Sequence, residues 1–415
     1  MNLLNQDASK VNSWELMLLQ AAKKISLTQP QYELIEKRYE NLQQILNNTS
    51  DPLLKEAHIF VQGSIGLKTT IKPASNDDGE MSTIDADAIV LLPHAQNASA
   101  AQILKAIEDC FKAGSRVEHP IVQLRRGVRI VYADQNPGFH IDITPARCVL
   151  GHSDEDGFGF LQVPDRELGW KNSSPRSYSG WLDAVSEMKI SIALDSAILT
   201  KSFETFAEAT QDPMPDYDEY MDSNPLRATI KLLKRHRDEW AIRNNLEKYR
   251  PISAIVTTLA TKAYEEIAKE SHPLRPLEAM LEIVKRMPKF IKKIGAHYLV
   301  INPCDEGENF AEKWNRENGA AFVNAFSRWH LSASNDLQLG FEEFSSNAFF
   351  ENAMREKFGL SKAFITDATK SLPANWKWPG RKDVTSNSIS LGIFTGAASN
   401  ANASQAETKV VGRLG

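Results

Sequence analysis

Thr83-Ile-Asp-Ala-Asp-Ala-Ile-Val-Leu-Leu92 is the stretch on which the reading of this chain turns. Most of its apolar residues are small or β-branched, and it begins in polar and apolar alternation, so it reads as a strand. Side chains on a strand alternate between two faces. Asp85 and Asp87 therefore point one way, and Ile84, Ala86, Ala88 and Val90 the other. Two adjacent carboxylates repel unless a cation lies between them, and a pair of hard divalent ions such as Mg²⁺ is the usual occupant. A wet strand edge carrying two charges is the competing reading, and the neighbouring segments bear on the choice.

Upstream, Ala57-His-Ile-Phe-Val-Gln62 reads as a short strand that runs into Gly63-Ser64-Ile-Gly66, a turn able to open a helix. A glycine there lets the backbone approach a phosphate, and exposed N–H groups and the Ser64 hydroxyl can donate to its oxygens. Alone, Gly-Ser also begins many ordinary turns. Downstream, Phe139-His-Ile-Asp-Ile-Thr-Pro145 reads as a strand with Phe139, Ile141 and Ile143 toward the core and Asp142 opposite. Asp142 can complete a metal site and take the proton of an attacking hydroxyl. Otherwise it is a charge on the wet face of a sheet.

Gly-Ser, then Asp-x-Asp, then a lone Asp in an apolar strand after an intervening helix resembles the core of the polymerase-β-like nucleotidyltransferases. The wider chain resembles the bacterial CD-NTases, cyclic GMP-AMP synthase-like enzymes that make cyclic oligonucleotide signals in antiphage CBASS systems. That wider likeness rests on Leu161-Gln-Val-Pro-Asp165, Trp170 to Trp181, Lys231 to Asp238, Pro251 to Leu259 with Tyr264, and Asn302-Pro303 followed by Glu308-Asn-Phe310 and Trp314. It covers about residues 57 to 330.

The resemblance implies a bilobal α/β fold. A polymerase-β-like core of mixed or antiparallel sheet with helices is joined to an α-helical lobe of the oligoadenylate-synthetase type. It implies that Asp85, Asp87 and Asp142 hold two Mg²⁺ per site, with Mn²⁺ able to substitute, and that Gln62, Gly63, Ser64, Lys234 and Ser253 contact the nucleotide. The activity implied is synthesis of a cyclic di- or trinucleotide from ribonucleoside triphosphates, ATP with or without GTP. The same core also serves enzymes making linear oligoadenylates or other template-independent products, and a non-catalytic scaffold recognised through its tail is a further alternative. Base preference, linkage, ring size and activating signal are not legible.

At 415 residues the chain is too long for one small core and suggests two lobes. No apolar run approaches the ~20 residues that span a bilayer, and the amino terminus lacks the pattern of a signal peptide, so a cytoplasmic protein without membrane contact is expected. The three cysteines, Cys110, Cys148 and Cys304, lack metal-ligand spacing. Animal cyclic GMP-AMP synthase uses a zinc-bound thumb to bind DNA, and these cysteines cannot build one. With a net charge of −5 as well, no DNA activator is implied.

Helices are expected at about 14–24 and 31–46, then strands at about 57–62, 84–92, 116–122, 127–133 and 138–143, with a helix from Ser99 to Phe111 between them. Beyond residue 151 nearly every pattern is helical. The expected division is 1–150 as the nucleotidyltransferase lobe with its amino-terminal helices, 151–383 as the helical lobe closing the cleft, and 384–415 as a flexible tail. On Leu226 to Asp238, Lys231, Lys234, Arg235 and Arg237 flank an apolar stripe. The plainer reading is a solvated basic face; the resemblance gives Lys234 a phosphate contact. Ser253 reads as a helix cap, to which the resemblance adds a phosphate contact. Lys285 to Lys293 reads as a second solvated basic run, and Asn302 to Phe310 as a structural loop leading into a helix.

The tail is rich in Ser, Asn, Ala, Gly and Thr and ends Leu414-Gly415. Some CD-NTases are encoded with a ubiquitin-transfer-like E1/E2 enzyme that conjugates their terminal glycine, and the resemblance extends that expectation to Gly415.

Overall fold

The computed structural model describes residues 6–74, 82–114, 120–133, 137–149, 161–190, 214, 217–220, 224–270, 273–374 and 376–381. Two helices open the chain. In α1 (Ala8–Ile25) the Asp7 side chain caps the first turn by accepting from the Ser9 and Lys10 N–H groups. In α2 (Gln29–Asn47) Thr28 and Gln31 form a capping box.

Then come β1 (His58–Gln62), the single helical turn α3 (Gly63–Gly66), β2 (Thr83–Leu91), α4 (Ala100–Gly114), β3 (Ile121–Gln123), β4 (Val128–Tyr132), β5 (Gly138–Cys148), β6 (Leu161–Asp165) and β7 (Gly169–Ser173). The strands form one seven-stranded sheet in the order β1-β2-β5-β4-β3, with β6 paired to the far end of β5 and β7 to β6. β2 and β5 run parallel, and the other pairs are antiparallel.

One face of the sheet is dry. Ile84, Ala86, Ala88 and Val90 of β2 pack with Ile141 and Ile143 of β5 beneath Tyr39 and Leu42 of α2 and Ile107 and Phe111 of α4. The alternation expected from the sequence therefore holds, and Asp85 and Asp87 are left on the opposite face.

The helical lobe comprises α5 (Pro175–Glu187), the short α6 (Tyr217–Tyr220), α7 (Pro225–Asn244), α8 (Ser253–Lys269), α9 (Pro276–Arg286), the hairpins β8 (Lys292–Ile294) with β9 (His297–Leu299) and β10 (Ile301–Asn302) with β11 (Asp305–Asn309), then α10 (Gly319–Asp336), α11 (Asn347–Phe358) and α12 (Lys362–Lys370). α7 is buried nearly all round, as a central helix must be.

Two features depart from the division read at residue 150. The sheet continues across it, because β6 and β7 extend β5. Moreover, α1 belongs to the helical core, where Trp14 is buried with Trp329 and its Nε1 donates to the Leu337 carbonyl at 2.8 Å. Of the two amino-terminal helices, only α2 packs on the sheet. No helix among the described residues is long and apolar enough to cross a membrane. Residues 384–415, including Gly415, lie outside the described residues.

Candidate active site

The parallel pairing of β2 with β5 sets Asp85 beside His140 and Asp87 beside Asp142. The flanking strands extend the second of these rows, with Gln62 next to Asp87 and Arg129 next to Asp142. The three carboxylates expected from the sequence thus meet on the wet face, and two residues that sequence reading missed meet them. His140 Nε2 lies 2.7 Å from Asp85 Oδ1. Arg129 grips Asp142 with a two-pronged fork, Nε to Oδ1 at 2.6 Å and Nη2 to Oδ2 at 2.8 Å.

Asp87 has no such partner. Its carboxylate accepts no hydrogen bond among the described residues, while its backbone carbonyl accepts from Tyr39 Oη at 2.5 Å. Burial, then the charges of Asp85 and Asp142, push its pKa well above the ordinary carboxylate range. A cation at this point would relieve both effects, so the residues fit a bound metal. Asp85, His140 and Asp142 offer donor atoms within 4.8 Å of one another. Carboxylate oxygens suit hard divalent ions such as Mg²⁺ and Mn²⁺.

Gly63 ends β1 against this cluster. Its φ is +64°, and a Cβ added there would lie 2.0 Å from Asp87 Oδ2. Only glycine satisfies both conditions. The turn that follows is tied internally, with Thr69 N–H donating to the Ser64 carbonyl at 2.8 Å and the Thr70 hydroxyl donating to Ser64 Oγ at 3.0 Å.

The basic row of α7 faces this turn from the other lobe, and it is not a solvated face, the plainer reading of Arg235 and Arg237. Lys231, Lys234, Arg235 and Arg237 are all buried. The backbone after the Gly-Ser turn is why: its carbonyls accept from the row. Lys234 Nζ donates to Thr69 O at 2.9 Å, and Arg235 donates to Lys72 O at 2.6 Å and Pro73 O at 3.0 Å. Burial first, then the charge of Arg237, pushes the Lys234 ammonium down to about 8. Arg237 donates to Ser253 Oγ at 3.0 Å. Ser253 is the first residue of α8 and makes no capping hydrogen bond; Ile252 occupies the cap position, so the expected capping role gives way to this contact. His236 is buried between Asp336 and Trp329, a structural position.

Between the lobes lies a cleft of about 360 Å³. Gln62, Gly63, Ser64, Asp85 and Asp87 line it from the sheet, and Lys234 and Ser253 from the helices. Asp142, tied to Arg129, is not among its lining side chains. Tyr178 and Phe310 add an aromatic wall, with ring centroids 5.7 Å apart. Asn302 and Glu308 also line it, joined by an Asn302 Nδ2 to Glu308 Oε2 bond at 2.8 Å. The segment expected to be a structural loop is thus a hairpin on the cleft wall. In the second basic run Lys285, Arg286 and Lys289 pair with Glu266, Glu270 or Glu282, while Lys292 and Lys293 lie on the exposed strand β8.

The Second Messenger Oligonucleotide or Dinucleotide Synthetase domain family matches residues 13–185. The chain is 23% identical over 263 residues to a c-di-GMP synthase of Roseivirga ehrenbergii, covering 62% of this chain and 61% of that one. It is 22% identical to the cyclic dinucleotide synthase CdnG of Bradyrhizobium diazoefficiens over 67% of this chain and 64% of the relative, so it spans less than two thirds of the length of either. The solved B. diazoefficiens CD-NTase CdnG in complex with GTP superposes with a TM-score of 0.60 at 18% identity, over 86% of this chain and 98% of that one. CdnC of E. coli MS115-1, solved with HORMA-deltaN, gives 0.54 at 11% identity, over 86% of this chain and 98% of that one. A polymerase-β-like sheet, a helical second lobe and a match to the second messenger synthetase domain over residues 13–185 thus give this chain the fold of the solved CD-NTases.

Proposed function

We propose that this protein is a metal-dependent nucleotidyltransferase that joins ribonucleoside triphosphates into a cyclic dinucleotide. The observation that carries the reading is the meeting of Asp85, Asp87 and Asp142 on one sheet face, opposite a buried lysine and beside a Gly-Ser turn. The names of the relatives, a c-di-GMP synthase and a CdnG solved with GTP, favour GTP as a substrate, alone or with ATP.

In this reading the donor triphosphate enters between the lobes. The Gly63-Ser64 backbone and the Ser64 hydroxyl hold its oxygens from the sheet side, and Lys234 neutralises them from α7. Arg237 orients Ser253 toward the same end of the cleft. Asp85 and Asp87 would hold two Mg²⁺ ions, with Mn²⁺ able to replace them, and Asp142 would complete the set. Bound there, the ions neutralise charge on the reacting phosphates and lower the pKa of the attacking hydroxyl. His140 and Arg129 fix the rotamers of Asp85 and Asp142, so these carboxylates need little reorganisation. Arg129 occupies two of the roughly four lone-pair sites of Asp142, and the others can accept the ribose hydroxyl proton. The hydroxyl attacks the α-phosphorus in line and pyrophosphate leaves; a second round on the linear product closes the ring.

The protein incubated with the four ribonucleoside triphosphates and Mg²⁺ should yield a phosphatase-resistant dinucleotide by mass spectrometry. Linear products alone, or none, would overturn the reading. A role in antiphage defence rests on the resemblance to the CD-NTases and is proposed with it. So is conjugation of Gly415 by an E1/E2-like enzyme: deleting Gly415 should abolish conjugation and leave nucleotide synthesis unchanged, and conjugation that survives the deletion would refute it.

A further inference from the structure

A second cavity, of about 370 Å³, adjoins the cleft and shares Arg250, Glu308 and Phe310 with it. Its lining carries six cations, Arg125, Arg126, Lys171, Arg250, Lys313 and Arg316, against two carboxylates, Glu308 and Glu312. Phe310, Trp314 and Phe322 supply aromatic surface. Cations over an aromatic floor are the pattern that receives a nucleotide and its phosphates.

The site is built rather than merely charged. Arg125 and Arg126 occupy the turn between β3 and β4, and both point their Nε atoms at Asp165, at 2.9 Å and 3.0 Å. The Asp165 side chain is fully buried and also accepts from the Glu167 and Leu168 N–H groups at 2.9 Å and 3.1 Å. The turn is tied to the neighbouring β6–β7 turn by Arg166 N–H donating to Arg125 O at 3.0 Å. One buried carboxylate therefore holds two guanidiniums side by side by their inner nitrogens. Arg125 spends an outer nitrogen on Glu167 at 3.0 Å, whereas the outer nitrogens of Arg126 make no hydrogen bond among the described residues. A fixed fork with open prongs suits a phosphate.

We propose that this second cavity is a polyphosphate site, which takes the 5′-triphosphate of the nucleotide whose sugar and base reach the catalytic cleft past Arg250 and Phe310. The proposal rests on the reading of the cleft as a nucleotidyltransferase site. It assigns the two triphosphates of a joining reaction to separate places: the donor's to Lys234, the acceptor's to Arg126. Two polyanions of the same sign are thereby kept apart, each against its own cations.

Titration calorimetry with inorganic tripolyphosphate and Mg²⁺ tests the site without catalysis. The wild-type chain should bind two equivalents, and Arg126→Ala should weaken one of them about tenfold, as loss of one charged fork does. Lys234→Met should weaken the other, and Lys171→Gln serves as a second probe of the new site if Arg126→Ala lowers the thermal midpoint. A single site in the wild type, or two sites both indifferent to Arg126 and Lys171, overturns the proposal. A chain that shows the Arg126-sensitive site but makes no dinucleotide would sink the proposed function and leave the binding site standing. In the active protein, wild type should use a 5′-triphosphorylated acceptor about tenfold better in kcat/KM than a 5′-hydroxyl acceptor, and Arg126→Ala should erase that difference. Equal loss with both acceptors would mean that the site serves a separate nucleotide, and would overturn the assignment to the acceptor.

Discussion

Replacing both Asp85 and Asp87 by asparagine is expected to cut dinucleotide formation at least ~10³-fold without lowering the thermal midpoint. Removing one group that stabilises developing charge typically costs 10²- to 10³-fold, and groups that act as a unit are not additive, so either single change should approach the double. The stability half of the prediction has its own cause. Asp87 is raised well above the carboxylate range by burial and by the like charges of Asp85 and Asp142, so its ionised form is held at a cost to the fold. Asparagine keeps the shape and removes the charge. The Tyr39 bond survives, because it goes to the Asp87 backbone carbonyl. His140 can still donate to the side-chain oxygen of the asparagine that replaces Asp85. Product yield and a melting curve on the same preparation check both halves: a collapsed midpoint would make the carboxylates structural, and retained activity would refute their catalytic role.

How much of this was legible in the sequence depends on the range of the interactions involved. The Asp-x-Asp strand and the Asp142 strand announce themselves through period-two alternation, a local signal, and the structure puts Ile84, Ala86, Ala88 and Val90 in the core as that signal requires. The same parity could have exposed His140, which shares a face with Asp142. Its contact with Asp85 needs the β2–β5 register, which no local pattern contains. Arg129 is hidden for the same reason. The burial of Arg235 and Arg237 on α7 was not legible, because the partners of the row, Thr69, Lys72 and Pro73, lie more than 160 residues away in sequence. Locally, four cations beside an apolar stripe do look solvated. Strands β6 and β7 were overlooked because Pro164 breaks the first and the second, Gly-Trp-Lys-Asn-Ser, has little apolar content. Their pairing with β5 supplies what local propensity does not. Asp165 and the two arginines it holds are likewise separated by some 40 residues.

Lys234→Met is expected to lower kcat/KM for the nucleotide about 10²-fold at pH 7, and to remove an alkaline limb that the wild type should show near pH 8. The ammonium is buried on α7, and burial with the nearby Arg237 brings its pKa down to about 8. In the protein without nucleotide, Lys234 is therefore charged below pH 8 and neutral above it. A triphosphate bound beside it favours the charged form, so the limb belongs in kcat/KM and should be weaker in kcat. Stability runs the other way over the same window. A lysine whose folded pKa lies below its unfolded value of ~10.4 penalises the fold while it is charged, and that penalty lifts as pH rises from about 8 toward 10.4. Through this one group the protein becomes more stable and less able to hold a triphosphate as the solution turns alkaline. Methionine keeps the aliphatic stem and loses the charge; it also leaves the Thr69 carbonyl without its donor, which offsets part of the relief, so the midpoint at pH 7 should move little. Rate profiles from pH 6.5 to 9.5 decide the matter. A limb that persists in Lys234→Met would assign the titration elsewhere, and an unchanged kcat/KM at pH 7 would remove Lys234 from the phosphate grip.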